Sequence, residues 1–100
     1  MTNDKPVFGD LVTVYAVLKR RRRHLERGQG ERKYWQPWPI NKRTGLYIGY
    51  RTLYDGRVDW IDSEAGTVFY PESHFQAALV VFSERERPAL VPFDKLRVMP

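Results

Sequence analysis

One hundred residues, 42% hydrophobic and 14% aromatic, suffice for one domain that buries roughly 60–65% of its unfolded surface, and are too few for a second lobe. The absence of cysteine excludes disulfides and Cys-based zinc sites. The net charge of +5 is unevenly spread: residues 19–43 hold Lys19, Arg20, Arg21, Arg22, Arg23, Arg27, Arg32, Lys33, Lys42 and Arg43 against Glu26 and Glu31, a local net of +8, so the rest of the chain sums to −3.

Residues 1–8 read as a loose lead-in, with Asn3, Asp4 and Pro6, and Gly9-Asp10 reads as a turn. The β-branched and aromatic run 11–18 predicts a strand with Val12, Val14, Ala16 and Leu18 on one face and Thr13 and Tyr15 on the other. Residues 19–45 admit two arrangements around the breaker Gly28-Gln29-Gly30. Either the strand runs on through the arginines and returns through Lys33-Tyr34-Trp35 as a projecting basic hairpin, or the segment is a long loop. The stretch Trp35-Gln36-Pro37-Trp38-Pro39 is extended, because each proline drives the residue before it out of helical geometry.

Residues 46–54 predict a strand, Asp55-Gly56 a hairpin turn, and residues 58–61 a return strand with Trp60 in the core. Residues 62–66 predict a polar turn and residues 67–70 a short strand that Pro71 ends. The nearly all-apolar run to Phe82 implies a strand buried on both faces. A charged turn through Glu84-Arg85-Glu86-Arg87-Pro88, a short strand at Leu90-Val91, a 3₁₀ turn at residues 92–96 and a closing strand complete the chain.

Five or six short strands separated by turns predict an all-β fold, a small antiparallel barrel or sandwich. The order is an opening Gly9-Asp10-Leu11-Val12-Thr13-Val14 strand, a long first connection, a meander, and a single helical turn before a last strand with Leu96 and Val98. That order resembles the SH3-like barrels, including the KOW and Tudor types. The resemblance covers residues 9–99 as one domain, with 19–45 as its basic arm. It implies ligand binding between the first long loop and the loop near Asp55-Gly56, beside Tyr47, Tyr50 and Tyr54. The stretches Gly49-Tyr50-Arg51-Thr52-Leu53-Tyr54-Asp55-Gly56 and His74-Phe75-Gln76-Ala77-Ala78-Leu79-Val80-Val81 resemble segments of small bacteriophage proteins. This implies a phage accessory protein in the host cytoplasm.

Catalytic chemistry finds little support in the residues. The two histidines are His24 and His74, and Glu72-Ser73-His74 are sequence neighbours on one element, whereas a nucleophile and its base come from separate elements. Asp59, Asp62 and Glu64 do not follow a calcium-loop pattern, and Gly28-Gln29-Gly30 is followed by Glu31, which repels phosphate. A non-enzymatic binding module is therefore expected, with no cofactor and no metal. No apolar run approaches the ~18 residues that span a bilayer, and no secretion signal is recognised, so a cytoplasmic setting without membrane contact is expected.

Arginine outnumbers lysine seven to three across residues 19–43, and its planar fork matches phosphate bidentately. All ten cations are candidate anion contacts, and Tyr34, Trp35 and Trp38 are candidate stacking or hot-spot residues. At least one of Trp35 and Trp38 is expected to fold back onto the barrel. Nucleic acid or a nucleoprotein is the preferred partner. An acidic protein surface is the alternative, as in an inhibitor of a host defence or replication enzyme or a minor virion docking protein.

Overall fold

The computed structural model describes residues 5–25, 30–60 and 67–100. Arg27, most of the glycine breaker, the side chain of Trp60 and the expected turn at 62–66 lie outside the described residues. The fold is all-β. Strands β1 (Leu11–His24), β2 (Glu31–Trp60), β3 (Thr67–Val81), β4 (Ala89–Pro92) and β5 (Leu96–Val98) form one antiparallel sheet in the order β4-β3-β2-β1-β5, and a single 3₁₀ turn, Phe93–Lys95, joins β4 to β5.

The thirty residues of β2 serve two partners. Glu31 to Leu46 pair with β1, and Leu46 to Trp60 pair with β3. Three irregularities bend this long strand. The partner of β1 steps from Arg43 to Pro39 between Val14 and Ala16, so residues 40–42 include an excess over β1. Further shifts fall between Tyr47 and Gly49 and between Asp55 and Gly56. Extra residues of this kind increase local twist and redirect a strand.

The predicted turn at Asp55-Gly56 is not a turn. Both residues lie within β2, opposite Ser73 and Pro71 respectively. A type I′ turn needs positive φ at its central residues, and Gly56 is not among the positive-φ glycines. It serves close approach instead, since a Cβ there would overlap the Tyr70 carbonyl. Pro71 likewise does not end a strand. β4 pairs only with residues 77–80 of β3, so at Pro71 one edge of β3 carries no ladder, and a missing N–H is tolerated there. Pro37 and Pro39 sit in β2 for the same reason, because that half of β2 pairs only with β1.

Two clusters form the core. The first joins Val12 and Val14 of β1, Tyr47 of β2, Ala78 and Val80 of β3, Val91 of β4 and Leu96 of β5. Val91 meets Val12 and Val14 although two strands separate β4 from β1 in the sheet, so the sheet is strongly curled. The second cluster joins Leu18, Leu53 and Ala77, with Trp35, Phe75 and Leu90 packed on them. Successive strand residues point to opposite faces, and Ala77 and Ala78 are both fully buried, one in each cluster. β3 is thus covered on both faces there, as its unbroken apolar run predicted. Each valine so buried contributes about 1.5–3 kcal/mol.

What covers the second face of β3 is the basic segment itself. Residues 17–24 of β1 and 31–38 of β2 form one ribbon, and residues 53–60 of β2 and 67–75 of β3 form another. Leu18 and Trp35 of the first lie on Leu53, Phe75 and Ala77. The strand runs on through the arginines, and the hairpin is docked on the sheet rather than standing clear of it.

Candidate functional site

Alternation along β1 divides the basic residues between two faces. Leu18 packs inward, so Arg20 and Arg22 share its side, while Lys19, Arg21 and Arg23 take the other. The ladder sets their cross-strand partners: Gln36 opposite Lys19, Trp35 opposite Arg20, Tyr34 opposite Arg21, Lys33 opposite Arg22, Arg32 opposite Arg23, and Trp38 opposite Val17. Directly opposed residues share a face. The outward face of the first ribbon therefore carries Lys19, Arg21, Arg23 and Arg32 together with Tyr34 and Trp38.

Arg20 is turned inward and occupied. Its guanidinium lies 5.0 Å from the Trp35 ring centroid and 5.6 Å from that of Phe69, and Nη1 donates to the Tyr54 carbonyl at 3.2 Å. The backbone N–H of Trp35 donates to Asp55 Oδ1 at 2.9 Å. Gly30, with φ of 96°, brings the backbone against Val58, where a Cβ would overlap the carbonyl. Arg32 reaches Glu72 at 2.7 Å, and Glu72 is the residue left over where β3 slips between Ser73 and Pro71. Together these contacts fasten the first ribbon to the second.

Arg43 belongs to a different place. It pairs bidentately with Glu86, at 3.1 and 2.9 Å, and its guanidinium lies 4.3 Å from the Phe82 centroid. The hydrogen bonds with Glu86 raise the Arg43 pKa, and those with Arg43, aided by the hydroxyl of Ser83, hold the Glu86 carboxyl below its usual value. Lys42 lies on the irregular stretch of β2 beside it, exposed. The structure thus separates Lys42 and Arg43 from the arginine run, and assigns Arg20 to packing.

Among the described residues, no ion pair engages Lys19, Arg21, Arg22, Arg23 or Lys33. Two rungs of the first ribbon oppose like charges, Arg22 with Lys33 and Arg23 with Arg32. Such pairs destabilise a ladder, and the Glu72 carboxylate relieves only the second. The last rung sets His24 Nδ1 3.5 Å from Glu31 Oε1.

Trp38 stands on the outward face with Lys19 Nζ 4.7 Å and the Arg21 guanidinium 6.0 Å from its ring centroid, and it remains 42% exposed. Trp35 is the tryptophan that folds back, and its buried indole nitrogen has no hydrogen-bond partner among the described residues. Tyr47 is buried, which pushes its phenol pKa up, whereas Tyr50 and Tyr54 are exposed. Sequence left those tyrosines unassigned; the ladder sets Tyr47 opposite Val80 in the core, and Tyr50 opposite Ala78 but exposed.

Of the residues weighed for catalysis, Glu72 is engaged by Arg32, Ser73 faces Asp55 in the ladder, and His74 lies 6.0 Å from the Tyr54 ring. Among the described residues, no group of three or more His, Asp or Glu is placed to hold a metal ion, and no helix is long and apolar enough to cross a membrane. Asp62 and Glu64 lie outside the described residues. No family model, no curated protein and no solved structure matches the chain.

Proposed function

We propose that the first ribbon binds a polyanion through its outward face and that the partner is nucleic acid. One observation carries this reading: Lys19, Arg21 and Arg23 form a row with no carboxylate partner among the described residues. Residues two apart on a strand repeat at about 6.6–6.8 Å, so the row presents evenly spaced charges. Arg23 also faces Arg32 across the ladder on this side, a like-charge rung that adds to the positive potential of the face. Arginine supplies the bidentate fork that phosphate accepts.

The strand order supports the further reading of an SH3-like barrel as the platform. The last strand pairs with the first, β2 is shared between two halves, and one 3₁₀ turn precedes the final strand. In this reading the two long ribbons extend from the barrel as one double-layered arm. The protein acts by binding and performs no chemistry on its partner.

The test is titration of labelled DNA and RNA at several salt concentrations. Contacts from three to five cations give log K a slope of roughly −2 to −4.5 against log salt, at about −0.7 to −0.9 per contact. Replacing Lys19, Arg21 and Arg23 by Gln should remove about three contacts' share of that slope. A flat salt response, or the same slope in the triple variant, refutes the reading. A partner from a cell lysate that stays bound after nuclease treatment, with no affinity for oligonucleotides, favours an acidic protein surface instead.

A further inference from the structure

Resting on that reading, we infer that the ligand is single-stranded nucleic acid and that Trp38 is the platform on which one of its bases stacks. The cations occupy a single file along β1: Lys19, Arg21 and Arg23 follow one edge of the ribbon over about 13 Å. A single file suits one backbone, with phosphates met in succession. A duplex presents two rails across a groove, and the opposite edge of this face answers with Arg32, which Glu72 already holds, and with Tyr34, Gln36 and Trp38.

Trp38 decides between the two. A large ring on a solvent-facing strand, 42% exposed, belongs to neither core cluster. Lys19 and Arg21 lie over it, which orients the ring before any ligand arrives and places two cations where the phosphates flanking a stacked base would pass. Unpaired bases offer π-faces to such a ring, whereas a duplex has those faces filled by its own stacking. A bare two-stranded ribbon can enter a major groove. This ribbon is backed by a second one, at a typical sheet-packing distance of about 10 Å, and is thicker than the bare ribbon a major groove admits. Trp35, stacked behind on Arg20, is committed to the fold and does not compete for the role.

The experiment compares a thymidine 20-mer, a uridine 20-mer, a DNA duplex of equal length and heparin by fluorescence anisotropy or competition at one salt concentration, for the wild type, Trp38→Ala and Trp38→Phe. The single strands should bind at least tenfold more tightly than the duplex. Trp38→Ala should weaken single-strand binding about 5- to 100-fold, leave the salt slope and heparin affinity unchanged, and be largely rescued in Trp38→Phe. Circular dichroism should show both variants folded, as expected for a half-exposed ring. Duplex affinity equal to or above that of the single strands overturns the inference, as does an equal loss for heparin and single strand in Trp38→Ala. Either of those results leaves the polyanion reading standing. Failure of all four ligands to bind removes both.

Discussion

Arg20 and Trp35 face one another across the β1–β2 ladder and stack, guanidinium on indole, with the guanidinium 5.0 Å from the ring centroid. This pair makes one arginine of a run of four a structural residue. Arg20 also closes on Phe69 and the Tyr54 carbonyl of the second ribbon, so it cross-links the two layers of the arm.

Arg20→Ala should therefore cost about 1–3 kcal/mol in urea denaturation, through the lost stacking and hydrogen bond. Arg21→Ala and Arg22→Ala should lie within about 0.5 kcal/mol of the wild type, as exposed substitutions do. Equal effects at all three positions would show that Arg20 has no special role in the fold.

The rung between Arg22 and Lys33 sets stability against binding. Lys33→Glu converts a repulsive cross-strand pair into an attractive one and should raise stability by about 0.2–1 kcal/mol. The same change should weaken oligonucleotide affinity only modestly, by lowering the net charge of the ribbon, because Lys33 lies on the face opposite the cationic row. Thermal melts and titrations on one preparation check both signs, and a variant that gains in both would contradict the placement of the anion at this ribbon.

Trp35 has two opposing terms. Its ring covers Leu53 and Ala77, while its buried indole nitrogen lacks an acceptor among the described residues. Trp35→Ala should cost about 2–5 kcal/mol by opening a cavity. Trp35→Phe keeps most of the apolar contact and removes the unsatisfied donor, so it should fall within about 1.5 kcal/mol of the wild type. Chemical denaturation of the two variants separates the terms.

The Arg43 and Glu86 pair supplies a pH test. The two hydrogen bonds from Arg43, the largest cause, hold the Glu86 carboxyl below the ordinary glutamate value of 4.5. A depressed carboxyl contributes stability that is present above the unfolded value and is lost as pH falls through the folded one. In an NMR titration the Glu86 midpoint should lie below 4.5 and return toward it in Arg43→Gln. Because the pair is exposed, high salt should shrink the difference. An unchanged midpoint in the variant would show that the pair does not persist in solution.

The sequence announced those features that depend on local alternation. The buried face of β1 at Val12, Val14, Ala16 and Leu18 followed from period two, and the double burial of β3 at Ala77 and Ala78 from an uninterrupted apolar run. The 3₁₀ turn before β5 was legible from its proline and short spacing. Asp55-Gly56 and Pro71 misled because turn chemistry was read without knowing which strand edges are unpaired. Asp55 is used to accept the backbone N–H of Trp35, and Gly56 to let β3 come close. The division of the arginines was equally out of reach. It depends on the register that sets Trp35 against Arg20, and on the slip in β3 that swings Glu72 toward Arg32.

One continuous strand, Glu31–Trp60, runs through every part of this molecule: it edges the arm, crosses the core at Tyr47 and returns beneath the arm as the second ribbon. A molecule gripping residues 34–38 holds a strand that is covalently continuous with the core. Occupancy should therefore slow amide hydrogen exchange beyond the contact, at Tyr47 and across β3, and heat should melt the two ribbons and the rest of the sheet together in a single calorimetric peak.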